Sequence, residues 1–310
     1  MTQKTFSEVA SLWKADKRQY VKASSYAAYV MHLNKHLLPF FGDSTDISAD
    51  MLQDYSNRML AGGLALKTVK DSILVLKMVH RFGERLGVWP HADFRVHYPT
   101  STMDRKALPV LTLPQQQRLL TYLHGNFSFR NLGLVICLHT GLRIGEICAL
   151  QWKDLDIGTG EIHVRKTISR IWLSDGDEKE YSLNIGTPKT PASVRDIPMT
   201  KPLTEIIRPL RKIVDPEFYV VSNSAAPLEP RYYRDYYMKV LRKVGVPPIR
   251  FHALRHSFAT RCIESKCDYK TVSVILGHAS IATTLDLYVH PGFAEKKKCI
   301  DKMVRSLSLR

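Results

Sequence analysis

Two histidines and two arginines stand among apolar residues in the stretch FHALRHSFATRC, residues 251–262. His252 and Arg255 are three residues apart, which places them on the same face of a helix. An arginine offers a planar, permanently charged fork that binds two phosphate oxygens at once, and a histidine exchanges protons near neutral pH. The stretch therefore indicates chemistry at a phosphate group, with the apolar neighbours holding both side chains rigid.

Three further segments carry groups of the same kind. They are TGLRIGEICAL with Arg143, GTPKTPASVRDIP with Lys189, and LGHASIATTLDLYVHP with His278 and Tyr288. Each residue alone would be an ordinary helix, turn or half-buried residue. Together, in this order and spacing, the four segments resemble the tyrosine site-specific recombinases, the phage integrase family. The resemblance covers the chain after residue 109, with weaker signals before it.

The resemblance implies a transfer of a DNA phosphodiester to a tyrosine. The Tyr288 phenol oxygen attacks phosphorus and forms a 3′-phosphotyrosyl bond, while Arg143 and Arg255 meet the charge on the non-bridging oxygens and His278 donates a further hydrogen bond. Since the new bond preserves the energy of the broken one, rejoining needs no nucleotide. The sequence has no carboxylate cluster for two metals and no phosphate loop. We therefore expect no cofactor and no metal.

Two proton transfers complete the expected reaction. His252 is the natural acceptor for the tyrosine proton, and the family resemblance supports that role. Lys189, on a turn between predicted strands, corresponds to the family's general acid for the leaving 5′ oxygen. Glu146, three residues after Arg143, could support that arginine, and a surface ion pair is the alternative.

Hydrophobic periodicity predicts the elements that position these groups. Residues 1–87 read as a bundle of four helices, the third of them capped by Ser48. Residues 88–109 read as a linker rich in proline and charge, and residues 110–310 as a mostly helical domain. Within that domain, period-two patterns predict a three-stranded antiparallel element from 161–173, 181–185 and 194–199. The expected class is mainly α with a small antiparallel β-sheet (α+β). The resemblance implies a SAM-like core-DNA-binding bundle and a tyrosine-recombinase catalytic domain.

Charge favours a polyanionic partner. The chain has 45 Lys and Arg against 29 Asp and Glu, a net charge of +16, and basic residues exceed acidic ones on both sides of the linker. In the family, the helix predicted from RYYRDYYMKVLRK lies against duplex DNA. Its candidate phosphate contacts are the five basic residues Arg231, Arg234, Lys239, Arg242 and Lys243. Tyr232 and Tyr236 on this helix fit either the core or the DNA face.

The C-terminal segment, about 293–310, carries Ile300, Met303, Val304 and Leu307 at helical spacing. It either folds back on its own domain or docks into a neighbouring copy. The family favours the second arrangement, a homo-tetramer on DNA.

The rest of the composition bears on location. Five cysteines without paired spacing and a start without a signal sequence predict a cytoplasmic, reducing environment, with association to the nucleoid when DNA is bound. No apolar run approaches the ~20 residues of a membrane-spanning helix. The first predicted helix begins near Met1, which leads us to expect no additional arm-binding domain.

Alternatives remain for one side-chain cluster and for the function. His252, His256, Cys262 and Cys267 do not match a zinc framework, so His256 is predicted to be a hydrogen-bonded core histidine. For the whole chain, the leading hypothesis is a site-specific recombinase acting in integration and excision, inversion or resolution. The alternatives are a catalytically silent DNA-binding or regulatory protein of the same fold, and a type IB topoisomerase-like relaxase.

Overall fold

The computed structural model describes residues 4–99, 109–172, 181–188, 190–288 and 293–307. These residues form mainly α-helices with two small sheets, which confirms the predicted class. The chain divides into two compact units, one of residues 1–105 with 170–184 and the other of residues 106–169 with 185–310.

The N-terminal part of the first unit is helical. Its helices are α1 (Phe6–Lys17), α2 (Ala23–His32), α3 (Leu38–Phe41), α4 (Ala49–Ala61) and α5 (Leu66–Arg85). The second predicted helix is divided by a π-helical turn over Leu33–Leu37, because Pro39 has no N–H to continue the α-helical ladder. Ser48 caps α4 as predicted, its hydroxyl accepting a hydrogen bond from Met51 N at 3.2 Å.

The core of this bundle extends beyond its last helix. Trp13, Phe41 and Tyr55 are fully buried in it. Trp89 and Phe94, which fall in the segment expected to be a linker, are buried in the same core. In residues 88–99, the low periodicity therefore reflects irregular backbone and not absence of packing.

Within the described residues, the second unit begins with three α-helices and ends with six more. The elements after the bundle are α6 (Leu113–Gly125), α7 (Phe129–Thr140), α8 (Ile144–Ala149), β1 (Leu155–Asp156), β2 (Glu161–Val164), β3 (Thr167–Trp172), β4 (Tyr181–Gly186), β5 (Arg195–Pro198), α9 (Lys201–Leu210), α10 (Pro230–Lys243), α11 (His252–Glu264), α12 (Tyr269–Leu276), α13 (Ile281–Tyr288) and α14 (Phe293–Leu307). The large core of this unit is centred on α7, whose residues are buried on nearly every face.

The predicted pairing of three strands in one antiparallel element is wrong. β2 pairs with β1 and β5 in an antiparallel sheet, and β3 pairs with β4 in a separate two-stranded sheet. The first predicted strand breaks at Arg165 and Lys166, which are exposed. The backbone pairing of β2 with β5 ends at Val164 and Arg195. Beyond it, Arg165 Nη1 donates to the carbonyl of Arg195 at 2.9 Å, so a side-chain hydrogen bond replaces the next backbone one.

Candidate active site

Arg143 lies between two helices. Gly141 ends α7 in the left-handed conformation, with φ 67°, and Arg143 is the N-cap residue of α8. Its Nη1 donates to Glu146 Oε1 at 2.7 Å, and its Nη2 donates to the carbonyl of Gly277 at 3.2 Å. The side chain of Arg143 is 34% exposed, so the guanidinium is fixed on one side and open on another.

Glu146 is buried, contrary to the surface alternative. Its side chain is 2% exposed, and Oε2 accepts from the backbone N–H of Arg143 at 2.9 Å. Burial raises its pKa, but hydrogen bonds and the charges of Arg195 and Arg143 outweigh burial and leave the pKa below its usual value. Glu146 is therefore an anion that holds two cations.

Arg255 is among the largest fully buried side chains, at 2% exposure. Its Nη1 donates to the carbonyl of Gly141 at 3.0 Å and its Nη2 to the carbonyl of Leu276 at 2.6 Å. These carbonyls lie at the C-terminal ends of α7 and α12, where the helix dipole is negative. Of its predicted apolar neighbours, Ala253, Leu254 and Ala259 are buried and Phe258 is half-buried.

His252 opens α11 one turn before Arg255. Its pKa is lowered by loss of solvation and by the charges of Arg255 and Arg143. The ring is therefore neutral at pH 7 and able to accept a proton. His256 packs edge-on against it with ring centroids 4.5 Å apart and is buried, as the prediction of a core histidine requires.

His278 follows Gly277, which ends α12 in the left-handed conformation. Its Nδ1 lies 2.8 Å from the hydroxyl of buried Thr284. Loss of solvation, followed by the charges of Arg255 and Arg143, lowers the pKa of His278 to about 4. When Thr284 donates to Nδ1, Nε2 keeps the ring hydrogen and is the donor available to an anion.

Arg195 belongs to this cluster, and sequence reasoning missed it. It is 6% exposed, and its guanidinium contacts both oxygens of Glu146, at 3.2 Å and 3.0 Å. The signal was present in the strand pattern, since β5 alternates buried Arg195 and Ile197 with exposed Asp196 and Pro198. An arginine at an inward strand position needs a buried anion.

Two predicted groups are not placed. Lys189 lies outside the described residues, and of Tyr288 only the backbone is described. Tyr288 ends α13, which packs against α11 and α12. The turn that follows Lys189 is a short 3₁₀ helix over Pro191–Ser193, and it approaches the αL glycine at the end of α12, because a Cβ on Gly277 would lie 2.8 Å from the carbonyl of Ala192. The structure thus brings together Arg143, His252, Arg255 and His278.

Comparison with known families identifies this arrangement. Residues 109–295 match the phage integrase family, and residues 5–60 match the N-terminal SAM-like domain of phage integrases. The chain belongs to the phage integrase family. Its resemblance to the tyrosine recombinases is thereby confirmed, as is the predicted enzyme class.

Curated relatives of this phage integrase family member carry integrase or recombinase names. The ICEBs1 integrase of Bacillus subtilis (strain 168) is 25% identical, with 96% of this chain and 82% of the relative covered. A protein named "Tyrosine recombinase XerC-like" from Caldanaerobacter subterraneus subsp. tengcongensis is 24% identical, with 83% and 71% covered.

Solved structures establish the integrase fold over nearly the whole chain. The Tn1549 transposon integrase in complex with a circular intermediate DNA superposes with a TM-score of 0.73 at 22% identity, covering 96% of this chain and 99% of that one. A lambda integrase tetramer bound to a Holliday junction gives a TM-score of 0.68 at 17% identity, covering 94% and 80%.

In this integrase, α10 presents the expected basic face. Tyr233 and Tyr237 are fully buried, whereas Tyr232 is 63% exposed and Tyr236 is half-buried, its hydroxyl donating to Asn131 Oδ1 at 2.6 Å. The five basic residues singled out on this helix are all exposed: Arg231, Arg234, Lys239, Arg242 and Lys243.

Two further findings concern metals and membranes. Within the described ranges, no three His, Cys, Asp or Glu side chains are close enough together to hold a metal ion, and this includes the cluster of His252, His256, Cys262 and Cys267. The helices of the described chain are all too short or too polar to cross a bilayer.

Proposed function

We propose that this integrase cleaves and rejoins duplex DNA at specific sites through a 3′-phosphotyrosyl intermediate, without metal or ATP, in a homo-tetramer on DNA. The observation that carries the proposal is the cluster of Arg143, Arg255, His252 and His278, in which two fixed guanidiniums accompany two imidazoles that are neutral at pH 7. Such a cluster suits a transition state in which negative charge develops on the phosphate oxygens, because its hydrogen-bond donors are oriented before the phosphate binds.

Arg143 and Arg255 bind the non-bridging oxygens of the scissile phosphate, and His278 donates a hydrogen bond to one of them. The Tyr288 oxygen forms a bond to phosphorus as the bond to the 5′ oxygen breaks, leaving a 3′-phosphotyrosine and a free 5′ hydroxyl. Rejoining is the same displacement in reverse, with a 5′ hydroxyl as the nucleophile.

Protons move in the same step. His252 accepts the phenol proton, a role that its lowered pKa supports because the ring is unprotonated at neutral pH. Lys189 gives a proton to the departing 5′ oxygen. Glu146 holds Arg143 in place, as the buried ion pair at 2.7 Å suggests.

The division of labour between domains belongs to the same proposal. Residues 1–87 form the core-DNA-binding domain, 88–109 the linker and 110–310 the catalytic domain. Duplex core sites contact the basic face of α10, and α14 joins neighbouring copies. Exposed apolar residues on α14 support the second contact: Ile300, Met303, Val304 and Leu307 are each half or more exposed.

The biological role that we propose is integration and excision of a mobile element. The names of the ICEBs1 integrase and of the transposases from Tn916 and Tn1545 among the relatives favour it over inversion or resolution.

Covalent trapping tests the chemistry. The wild type and Tyr288→Phe are incubated with nicked duplex fragments from DNA flanking the gene, with a chelator and without nucleotide. A protease-sensitive DNA adduct for the wild type alone is the expected result, and sequencing its DNA gives the cleavage site. An adduct for both proteins would refute Tyr288 as nucleophile. Salt-sensitive binding without an adduct favours the silent DNA-binding alternative, and site-independent relaxation of supercoils favours the topoisomerase.

A further inference from the structure

The guanidinium of Arg195 makes four hydrogen bonds to protein oxygens. Its Nε donates to the carbonyl of Ile275 at 2.6 Å, and its Nη1 donates to the carbonyl of Ser193 at 2.9 Å. The same Nη1 and the Nη2 reach the two oxygens of Glu146. This end-on, two-oxygen contact between an arginine and a carboxylate adds geometric specificity as well as energy.

Those contacts join the segments that carry the reacting groups. Glu146 binds Arg143 on its other side. Ile275 immediately precedes Leu276, whose carbonyl accepts from Arg255. Ser193 lies in the turn that begins just after Lys189. One side chain thus fixes the positions of α8, the 190–193 turn and the end of α12 relative to one another.

Arg195 does not meet the substrate itself. All three of its guanidinium nitrogens are engaged with protein oxygens, and two of them bind the carboxylate of Glu146, which compensates its charge. Any influence of Arg195 on a phosphate must therefore pass through the groups that it holds.

We propose that Arg195 is a positioning residue for strand cleavage, which orients the guanidinium of Arg143 through Glu146 while it aligns the turn after Lys189 with the end of α12. The proposal rests on the proposed recombinase function and adds to it a residue that orders the site without touching DNA.

Loss of Arg195 has a definite electrostatic consequence. Glu146 would remain buried with its principal partner removed, so its pKa would rise. Once protonated, Glu146 no longer holds Arg143 by charge. Cleavage by Arg195→Met should then decline at a higher pH, on the acid side of the profile, than cleavage by the wild type.

The test compares three variants with the wild type. Arg195→Met keeps the length of the side chain and removes its donors, and Arg195→Lys restores the charge without the fork. Arg165→Met is the matched control, because Arg165 donates to the carbonyl of Arg195 and pairs with Asp196 but does not contact Glu146. Thermal unfolding establishes that each variant is folded.

The single-turnover rate of adduct formation at saturating DNA should fall about 10–100-fold in Arg195→Met, by analogy with the loss of a group that orients a metal ligand. Arg195→Lys should recover part of the rate, and the rate of Arg165→Met should stay within about two-fold of the wild type.

The DNA Kd and its salt slope should not change in Arg195→Met, because no phosphate contact is lost. In a Glu146→Gln background, Arg195→Met should cost much less, because the two act together. Additive losses would overturn the proposal.

A measurement that needs no catalysis separates this inference from the proposed function. NMR titration of the ¹³C-labelled Glu146 carboxyl, assigned with Glu146→Gln, should give a higher pKa in Arg195→Met than in the wild type and no change in Arg165→Met. An unchanged Glu146 pKa in Arg195→Met refutes the positioning role even if the wild type cleaves DNA. Failure of the wild type to form an adduct refutes the proposed function and leaves the titration to decide the role of Arg195.

Discussion

The cationic side chains of the site are held by protein oxygens in different ways. Arg255 lies against two backbone carbonyls at helix ends, Arg195 against a carboxylate and two carbonyls, and Arg143 against one of each. A guanidinium held at several points loses most of its rotational freedom during folding. Its charge is therefore oriented before any phosphate binds, which is the condition for electrostatic catalysis without reorganisation.

Replacement of Arg255 by lysine tests whether the fork matters beyond its charge. In Arg255→Lys, the ammonium cannot span the carbonyls of Gly141 and Leu276, so we expect adduct formation to slow by about 100-fold or more while DNA affinity changes by a few-fold. The control is Arg261→Lys on the same helix, where the arginine pairs with Glu264 at 2.9 Å. Equal rates for Arg255→Lys and the wild type in a single-turnover assay would contradict the assignment.

The histidines make stability depend on pH. His256 and His278 have pKa values of about 4 in the folded chain, lowered from 6.5 first by loss of solvation and then by neighbouring charges. Between about pH 6.5 and 4 the unfolded chain binds more protons, so the free energy of unfolding falls as the pH falls, by up to about 1.4 kcal/mol per pH unit for each proton. Urea unfolding over this range measures the slope.

A single substitution isolates one of these groups. His256→Gln should flatten the dependence by up to one proton, because glutamine does not titrate. A slope that His256→Gln does not alter would show that the buried ring does not titrate as described.

At the scale of the elements, the C-terminal end of α12 contacts all three arginines of the site. Its carbonyls accept from Arg143, Arg195 and Arg255, through Gly277, Ile275 and Leu276 respectively. A Cβ on Gly277 would lie 2.8 Å from the carbonyl oxygen of Ala192, in the turn after Lys189, and 3.1 Å from Cδ of Arg195 in β5. Glycine is needed there for both its left-handed backbone and its missing side chain.

Gly277→Ala and Gly245→Ala separate those two requirements. Both glycines have φ of 65°, but a Cβ on Gly245 would meet no atom within 4 Å. Gly245→Ala should cost about 1 kcal/mol of stability from backbone strain alone. Gly277→Ala should cost about 1–3 kcal/mol more, from crowding, and should slow cleavage. Urea unfolding gives both values, and equal losses would refute the close approach.

At the scale of the whole molecule, charge and one exposed helix face support the proposed assembly on DNA. The net charge of +16 gives a polyanion a long-range attraction. α14 carries four apolar residues that are each half or more exposed, namely Ile300, Met303, Val304 and Leu307, the last at 72%. Such a stripe on an otherwise polar helix is characteristic of a docking face.

Met303→Glu tests the role of that stripe. Met303 is 50% exposed, so a charge there should cost little stability, yet it should abolish tetramers on DNA while single copies still bind. Sedimentation of complexes with paired sites measures the assembly. Lys302→Gln, the neighbouring exposed residue outside the stripe, is the control and should still form tetramers. Tetramers formed normally by Met303→Glu would locate the contact elsewhere.

Prediction from the sequence succeeded where a local rule applies and failed where contact partners are distant. The Ser48 cap and the single face shared by His252 and Arg255 follow from spacing within one helix. The pairing of β2 with β1 and β5 did not follow, since a two-residue strand carries no periodic signal. The buried state of Glu146 was also open, because an i, i+3 ion pair looks the same on a surface or in a core.

By itself, the sequence determined which groups are available for chemistry: permanent cations, imidazoles, a lysine and a tyrosine in four recurring segments, on a mainly helical and strongly basic chain. The tertiary structure alone decided that Glu146 is an anion shared by Arg143 and Arg195, and that backbone carbonyls fix the arginines. Those contacts link residues 49, 114 and 134 positions apart, so their formation depends on how the helices and the small sheet pack. Residue types determine which chemistry a site can perform. Packing determines which charges are buried together, and hence which side chains are held in a fixed orientation.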